Sequence, residues 1–199
     1  LNRPYQVQCT GKTTDYYLTK DEGDAVQLTD GHGAPATNAM WFFKETVAWN
    51  RGPVSVTIDL GETRAIGGMS YRTENGPHAG VNWPPAILIL VSEDGQEYRL
   101  AGELVTLSAR FGPPPATGRH AFVTDELKTR GRYVQLISQG SLLVVSDEIE
   151  IYEGRRADLK NPASGPVIEK PIDYFIAHRM PYAVAARVAT DAARAGAVI

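Results

Sequence analysis

The chain has 199 residues, 43% of them hydrophobic and 22% charged, enough for one sizeable folded domain with or without an appendage. Its net charge of −3, with Lys and Arg scattered, excludes the basic face that nucleic acid or an anionic membrane surface requires. No apolar run approaches the length of a membrane span, and a single cysteine, Cys9, excludes an internal disulfide framework.

In chain order, residues 5–9 alternate and read as a first strand, with Cys9 expected to pack there as a small apolar side chain. Residues 10–24 are polar and turn-rich. Gln27-Leu-Thr-Asp30-Gly31 then opens a loop that runs to Asn38, and residues 41–49 gather Trp41, Phe42, Phe43 and Trp49. Residues 54–60 form a strand, and 65–71 a second one interrupted by Gly67-Gly68. A long loop over 72–85 leads into the apolar strand 87–91, too short for a helix and flanked by breakers. Asp94-Gly95 predicts a hairpin turn to a partner over 96–104. Residues 108–119 contain Gly112-Pro-Pro-Pro115 and exclude regular structure. Strands over 121–123, 133–138 and 148–152 follow, and no repeat with a period of 20–50 residues is visible.

Short strands at this spacing, with no helical pattern between them, predict an all-β, jelly-roll-like antiparallel sandwich over residues 1–154. Residues 155–171 are polar with three prolines and read as a linker or strap. From residue 172, Phe175, Ile176, Met180, Val184 and Val188 recur at helical spacing in an Ala-rich segment interrupted by Pro181. The region 155–199 is therefore read as a linker and one or two helices, leading to a further domain or packing on the sandwich. An Ala-rich helix with one apolar stripe rarely stands alone in water.

The order Ile58-Asp-Leu-Gly61, Val91-Ser-Glu-Asp-Gly95, Gly131-Arg-Tyr-Val-Gln-Leu136 and Asp147-Glu-Ile-Glu-Ile-Tyr-Glu-Gly154 resembles the galactose-binding-like domains. These include the discoidin or coagulation-factor V/VIII type C domains and family 32 of the carbohydrate-binding modules. The resemblance covers roughly residues 5–154 and makes binding, not catalysis, the expected function. It implies a module of a secreted or periplasmic polysaccharide-active protein, with a glycan as partner and an adjacent catalytic domain. The start at Leu1 suggests a processed or truncated chain. Two alternatives stay open: a structural or docking domain making protein–protein contacts, and a polysaccharide lyase or hydrolase on the same scaffold. The acidic residues sit mostly in turns after strands. The chain has no Gly-x-Ser-x-Gly elbow, His-Glu-x-x-His or phosphate loop, and His32, His78, His120 and His178 are too isolated to read as a metal set.

By that resemblance a structural calcium ion is expected, because such domains close a cation site with an Asp in an Asp-Gly turn and a Glu in the last strand. Asp30 and Glu148 match those positions, with Asp24 as a weaker third; hard cations take six to eight oxygens, carbonyls included. The bland alternative is that Asp30 caps a turn and Glu148 pairs with an arginine. The glycan site is expected on loops at one end of the sandwich, within residues 41–46, 72–83 and 139–144. Arg72 with Asn75 or Asn82 match the family's hydroxyl-binding elements, and His78 is the histidine placed to reach a ligand. The late loop offers leucine where the family has an aromatic, so stacking falls to Trp41, Phe42 or Trp83. Each has a second reading: Trp83 as a lid on the sheet edge, Arg72 as an ion-pair partner of Glu74 or Glu45. Trp49 is read as core.

Overall fold

The structure, a computed structural model, describes residues 3–9, 22–50, 52–139 and 143–196, without the side chains of Cys9, Glu22, Asp24 and Asn50. It is the all-β antiparallel sandwich the spacing predicts, with a long helix at its C-terminal end. The strands are β1 (Tyr5–Cys9), β2 (Val47–Asn50), β3 (Val54–Asn75), β4 (Ile87–Ser92), β5 (Arg99–Glu103), β6 (Gly118–Thr124), β7 (Thr129–Ser138), β8 (Leu143–Ser146) and β9 (Glu148–Glu153). The first part of β3 lies between β1 and β7, and β4 and β5 continue that layer. The second part of β3 lies between β6 and β9, and β2 pairs with β8 in a small separate sheet.

The two strands expected at 54–60 and 65–71 are thus one strand of 22 residues that also absorbs the start of the expected 72–85 loop. Asp-Leu-Gly reads as a turn in sequence, yet here it makes an irregularity at which the register with β7 shifts between Asp59 and Arg64. Gly61 takes a positive φ of 86°, and its N–H donates to Asp59 Oδ1 at 2.8 Å. Arg132 braces the bend from β7 with two parallel bonds to Asp59, each 2.8 Å. That pairing holds the Asp59 carboxyl at about 2. Gly68 is required by close approach: a Cβ there would stand 1.9 Å from the Thr124 carbonyl oxygen of β6.

Between the layers lies the main core, with Ile58, Met69, Tyr71, Phe122, Leu136 and Ile149 at its centre and Trp49 buried as expected. Every residue of β4 is buried, because both its faces are covered. Leu88 and Leu90 point away from the main core and meet Ile137, Ile168 and Phe175 in a second cluster. Phe175 belongs to α2 (Pro171–Gly196), so the C-terminal helix packs on the sandwich, as one continuous element with Pro181 inside it. Its outward side leaves Ile176, Met180, Val184 and Val188 between 44% and 66% exposed. The strap before it pairs with the β5 edge through Leu100 N–H to the Pro166 carbonyl, 3.1 Å, and Ile168 N–H to the Tyr98 carbonyl, 2.7 Å.

A five-residue helix, α1 (Leu104–Ser108), was not expected; it is too short to show a period. Glu103 caps it by accepting from the N–H groups of Val105 and Thr106, and also takes the Ile87 N–H at 2.7 Å. Among the described residues no helix is long and apolar enough to cross a membrane.

Candidate functional site

Alternation along β3 decides where the predicted residues go. Met69, Tyr71 and Thr73 point into the sandwich and are buried, whereas Ser70, Arg72 and Glu74 point to the other side. Over that outer side lies the loop of residues 31–43, which is neither strand nor long helix and so needs partners for its backbone groups. Charged side chains of the strands supply them. Gly31 N–H donates to Glu148 Oε2 at 2.9 Å and Ala34 N–H to Asp147 Oδ2 at 2.8 Å. Met40 N–H makes a short hydrogen bond to Glu74 Oε2. Arg119, opposite Glu74 on β6, donates to the carbonyls of Ala34 (2.5 Å), Pro35 (2.5 Å) and Asn38 (2.7 Å).

Arg72 belongs to this set. Its Nη2 lies 3.0 Å from Asp147 Oδ2, and Asp147 is fully buried. The Asp147 carboxyl is pushed up by loss of water, against the opposing pull of Arg72. The guanidinium presses on Gly33, where a Cβ would come within 2.1 Å of Nη1, yet 36% of the Arg72 side chain remains exposed. Its ion-pair partner is therefore Asp147, not Glu74 or Glu45.

The loop ends in a 3-10 turn, Met40–Phe42, that presents two of the predicted aromatics. Phe42 is 67% exposed, the highest value among the large hydrophobic residues described. Trp41 is half-buried, its ring centroid 6.1 Å from Phe42 and 6.4 Å from His78. The indole lies on Gly76, where a Cβ would fall 2.3 Å from its Cη2. His78 is exposed on the turn Pro77–Ala79. Trp41, Phe42 and His78 therefore form one open aromatic surface, with Arg72 on the adjoining strand face. The surface can stack a flat apolar ring face, and the histidine brings a donor or acceptor to it.

Asn75 and Trp83 do not join them. Asn75 follows the inward parity of β3, is buried, and donates to the Ala116 carbonyl at 2.6 Å. Trp83 donates from Nε1 to the Pro115 carbonyl at 3.1 Å, and its ring meets His120 at 5.8 Å and Phe122 at 6.0 Å edge-on. This arrangement is the lid reading of Trp83; burial lowers the pKa of His120 beneath it. Asn82 is half-buried and donates to the Gly80 carbonyl, 3.3 Å, within its own loop. In the late loop, residue 139 and β8 are described, while residues 140–142 lie outside the described residues.

Asp30 and Glu148 do come together, at Gly31. Asp30 Oδ1 accepts the His32 N–H at 2.7 Å, so the turn-cap reading holds for it. Glu148 is 3% exposed and takes the Gly31 amide, and no described arginine forms an ion pair with it. Loss of water pushes its carboxyl up to about 7, and the nearby charges of Asp30, Glu150 and Asp147 add to the shift. The Asp24 side chain lies outside what the structure describes. Among the described residues no three His, Cys, Asp or Glu side chains converge as a metal set. Asp30 and Glu148 nevertheless stand beside the same loop, and carboxylate oxygens are donors of the kind a hard cation takes.

Sequence reasoning missed Asp147, Glu74 and Arg119. Their roles arise from strand register across 34 to 113 residues, which no local motif announces.

No protein-family profile and no curated protein sequence matches the chain. Among solved structures it is similar to carbohydrate-binding modules. One is CpGH89CBM32-6 produced by Clostridium perfringens, at 22% identity and TM-score 0.43, covering 76% of this chain and 94% of that one. Another is chitosan-binding module 2, in complex with chitotriose, of a chitosanase/glucanase from Paenibacillus sp. IK-5, at 17% identity and TM-score 0.46, covering 76% and 97%. A third is CBM32-1 from a family 31 glycoside hydrolase of Clostridium perfringens, at 14% identity and TM-score 0.46, also covering 76% and 97%.

Proposed function

We propose that this chain is a non-catalytic glycan-binding module that seats a sugar ring on the Trp41–Phe42–His78 surface. The observation that carries this reading is the exposed Phe42, set beside Trp41 and His78 on a loop whose backbone is tied to the sheet. A pyranose offers one apolar face and a rim of hydroxyls. The two aromatics match the face, while His78 and the exposed part of Arg72 match the rim. The family resemblance of the strand motifs supports the same reading and extends it to a secreted or periplasmic protein with a polysaccharide-active catalytic domain attached. A shallow surface of this size binds a single sugar weakly, and attachment or repetition raises the effective affinity.

Calcium is part of the proposal. Asp30 and Glu148 would hold it together with carbonyls of the same loop, and Asp24 is the remaining candidate. The ion would neutralise buried carboxylate and fix the loop; it supplies no chemistry to a substrate.

A glycan array with wild-type protein, Phe42→Ala and Trp41→Ala tests the reading. Each truncation is expected to weaken binding about tenfold, in line with about 1–1.5 kcal/mol for a lost aromatic contact. Phe42→Ala should leave the melting temperature within a degree or two. Wild-type protein that binds no glycan but associates tightly with a partner protein establishes the docking alternative instead. Release of reducing ends or unsaturated products from polysaccharide establishes the lyase or hydrolase alternative.

A further inference from the structure

We infer that Arg119 and Glu74 are positioning residues for the Trp41–Phe42 surface: they set ligand affinity through the loop, without contacting the ligand. The inference rests on the glycan-binding reading and adds to it two residues that no sequence motif singles out. Glu74 and Arg119 face each other across the β3–β6 register, with Arg119 Nε 3.8 Å from Glu74 Oε2. Both side chains are largely covered, 10% and 22% exposed, so neither offers a ligand an open polar face.

Together they grip the loop on either side of residue 39. Arg119 spreads its fork over the carbonyls of Ala34, Pro35 and Asn38. Glu74 takes the Met40 amide, immediately before Trp41. A planar guanidinium with five donors can serve three carbonyls and a carboxylate at once; an ammonium, as a point charge, cannot span them. The grip is mutual, because removing Arg119 leaves the covered Glu74 carboxylate without its counter-charge. Its guanidinium also lies 6.0 Å over the Phe43 ring, adjacent to Phe42. Without the grip, the aromatic turn samples many orientations and must be ordered by the ligand itself, which weakens binding.

Arg119→Ala, Arg119→Lys and a control, Arg132→Ala, test this. Arg132 braces Asp59 at the bend of β3 and has no part in the loop. The first readout is affinity for the best array ligand, measured well below each variant's melting temperature. Arg119→Ala is expected to bind at least tenfold more weakly, Arg119→Lys to fall between it and wild type, and Arg132→Ala to stay within twofold whatever its melting temperature. The second readout needs no glycan. In a Trp83→Phe background the remaining indoles are Trp41 and the buried Trp49, so iodide quenching reports Trp41. Quenching should rise in both Arg119 variants and stay unchanged in Arg132→Ala. Should Arg119→Ala fail to fold, Arg119→Lys carries both readouts. Folded Arg119 variants with affinity within twofold of wild type, or with unchanged quenching, overturn the inference. If wild-type protein binds no glycan, the proposed function falls, and quenching alone decides whether these residues position the turn.

Discussion

The pH dependence of stability at Glu148 can be worked out from the structure. Its carboxyl is 3% exposed and shifted from 4.5 to about 7, chiefly because burial disfavours the charged form. A raised folded-state pKa in an acid means that the folded protein holds the proton more tightly than the unfolded chain. The associated stability is complete below about pH 4.5 and is lost as pH rises through about 7. At about 1.4 kcal/mol per unit the ceiling is ~3 kcal/mol. Glu148 also lines a half-open cleft of about 330 Å³ beside Arg3, Arg64 and Tyr152, and solvent there reduces the effect to roughly 1–2 kcal/mol. The perturbation is Glu148→Gln, which keeps an acceptor for the Gly31 amide and removes the charge. Urea unfolding at pH 5 and pH 8, in chelator, should show wild type losing roughly 1–2 kcal/mol relative to the variant across that interval. His120, whose pKa burial lowers, contributes a slope of opposite sign, but it is common to both proteins and cancels in the difference. Millimolar Ca²⁺ should restore wild type at pH 8 and leave Glu148→Gln unmoved. Parallel pH profiles of the two proteins in chelator refute the electrostatic reasoning, and absence of a wild-type response to Ca²⁺ removes the cation.

Other substitutions probe the scaffold. Gly68→Ala drives a Cβ into the Thr124 carbonyl and should destabilise by about 2 kcal/mol or more in chemical unfolding; a loss below ~0.5 kcal/mol would contradict the close packing of β3 on β6. Phe175→Ala removes the α2 anchor from the cluster of Leu88, Leu90 and Ile137 and should cost about 3–5 kcal/mol, with dye binding to the uncovered face. Asp59 should titrate near 2 by NMR, so its pairing with Arg132 supports the fold above pH 3.8 and is lost as pH falls through about 2; a midpoint near 4 contradicts the bidentate brace.

The fold was legible where side-chain period and backbone chemistry agree. Residues 54–60 and 87–91 are strands because their apolar runs and flanking breakers allow nothing else, and Asp94-Gly95 marks its turn with Gly95 at φ 75°. That β4 is covered on both faces, by the main core on one and α2 on the other, shows only in the structure. What misled was Asp59-Leu-Gly61: glycine after an acid signals a turn, but a long-range brace from Arg132 makes it a bend within one strand. Of the site, the aromatic cluster at 41–42 was readable because an apolar side chain in a polar loop stands out. The division between Arg72 and Asn75 follows from continuous pairing of β3 across them, which the expected loop over 72–85 concealed. The opposing registers of Glu74 and Arg119 were invisible without the sheet.

Why charged residues hold this loop, when apolar ones cover β4, follows from what each segment must satisfy. Strand β4 is bonded to both neighbours, so its faces need only apolar contact. Residues 31–43 have few backbone partners of their own, and an apolar cover would strand their N–H and C=O groups. Glu74, Asp147 and Glu148 accept the amides of Met40, Ala34 and Gly31, while Arg119 supplies three carbonyls and Arg72 balances Asp147. With all three carboxylates ionised, they exceed the two guanidinium groups by one negative charge. Both cations approach Glu74 and Asp147, so the surplus falls on Glu148, beside Asp30 and in the place where the proposed calcium ion would sit. On this reasoning the proposed cation would join the two arginines in serving one end, the fixed orientation of Trp41 and Phe42. Chelation should therefore raise iodide quenching of Trp41 in the same Trp83→Phe protein, as loss of Arg119 does.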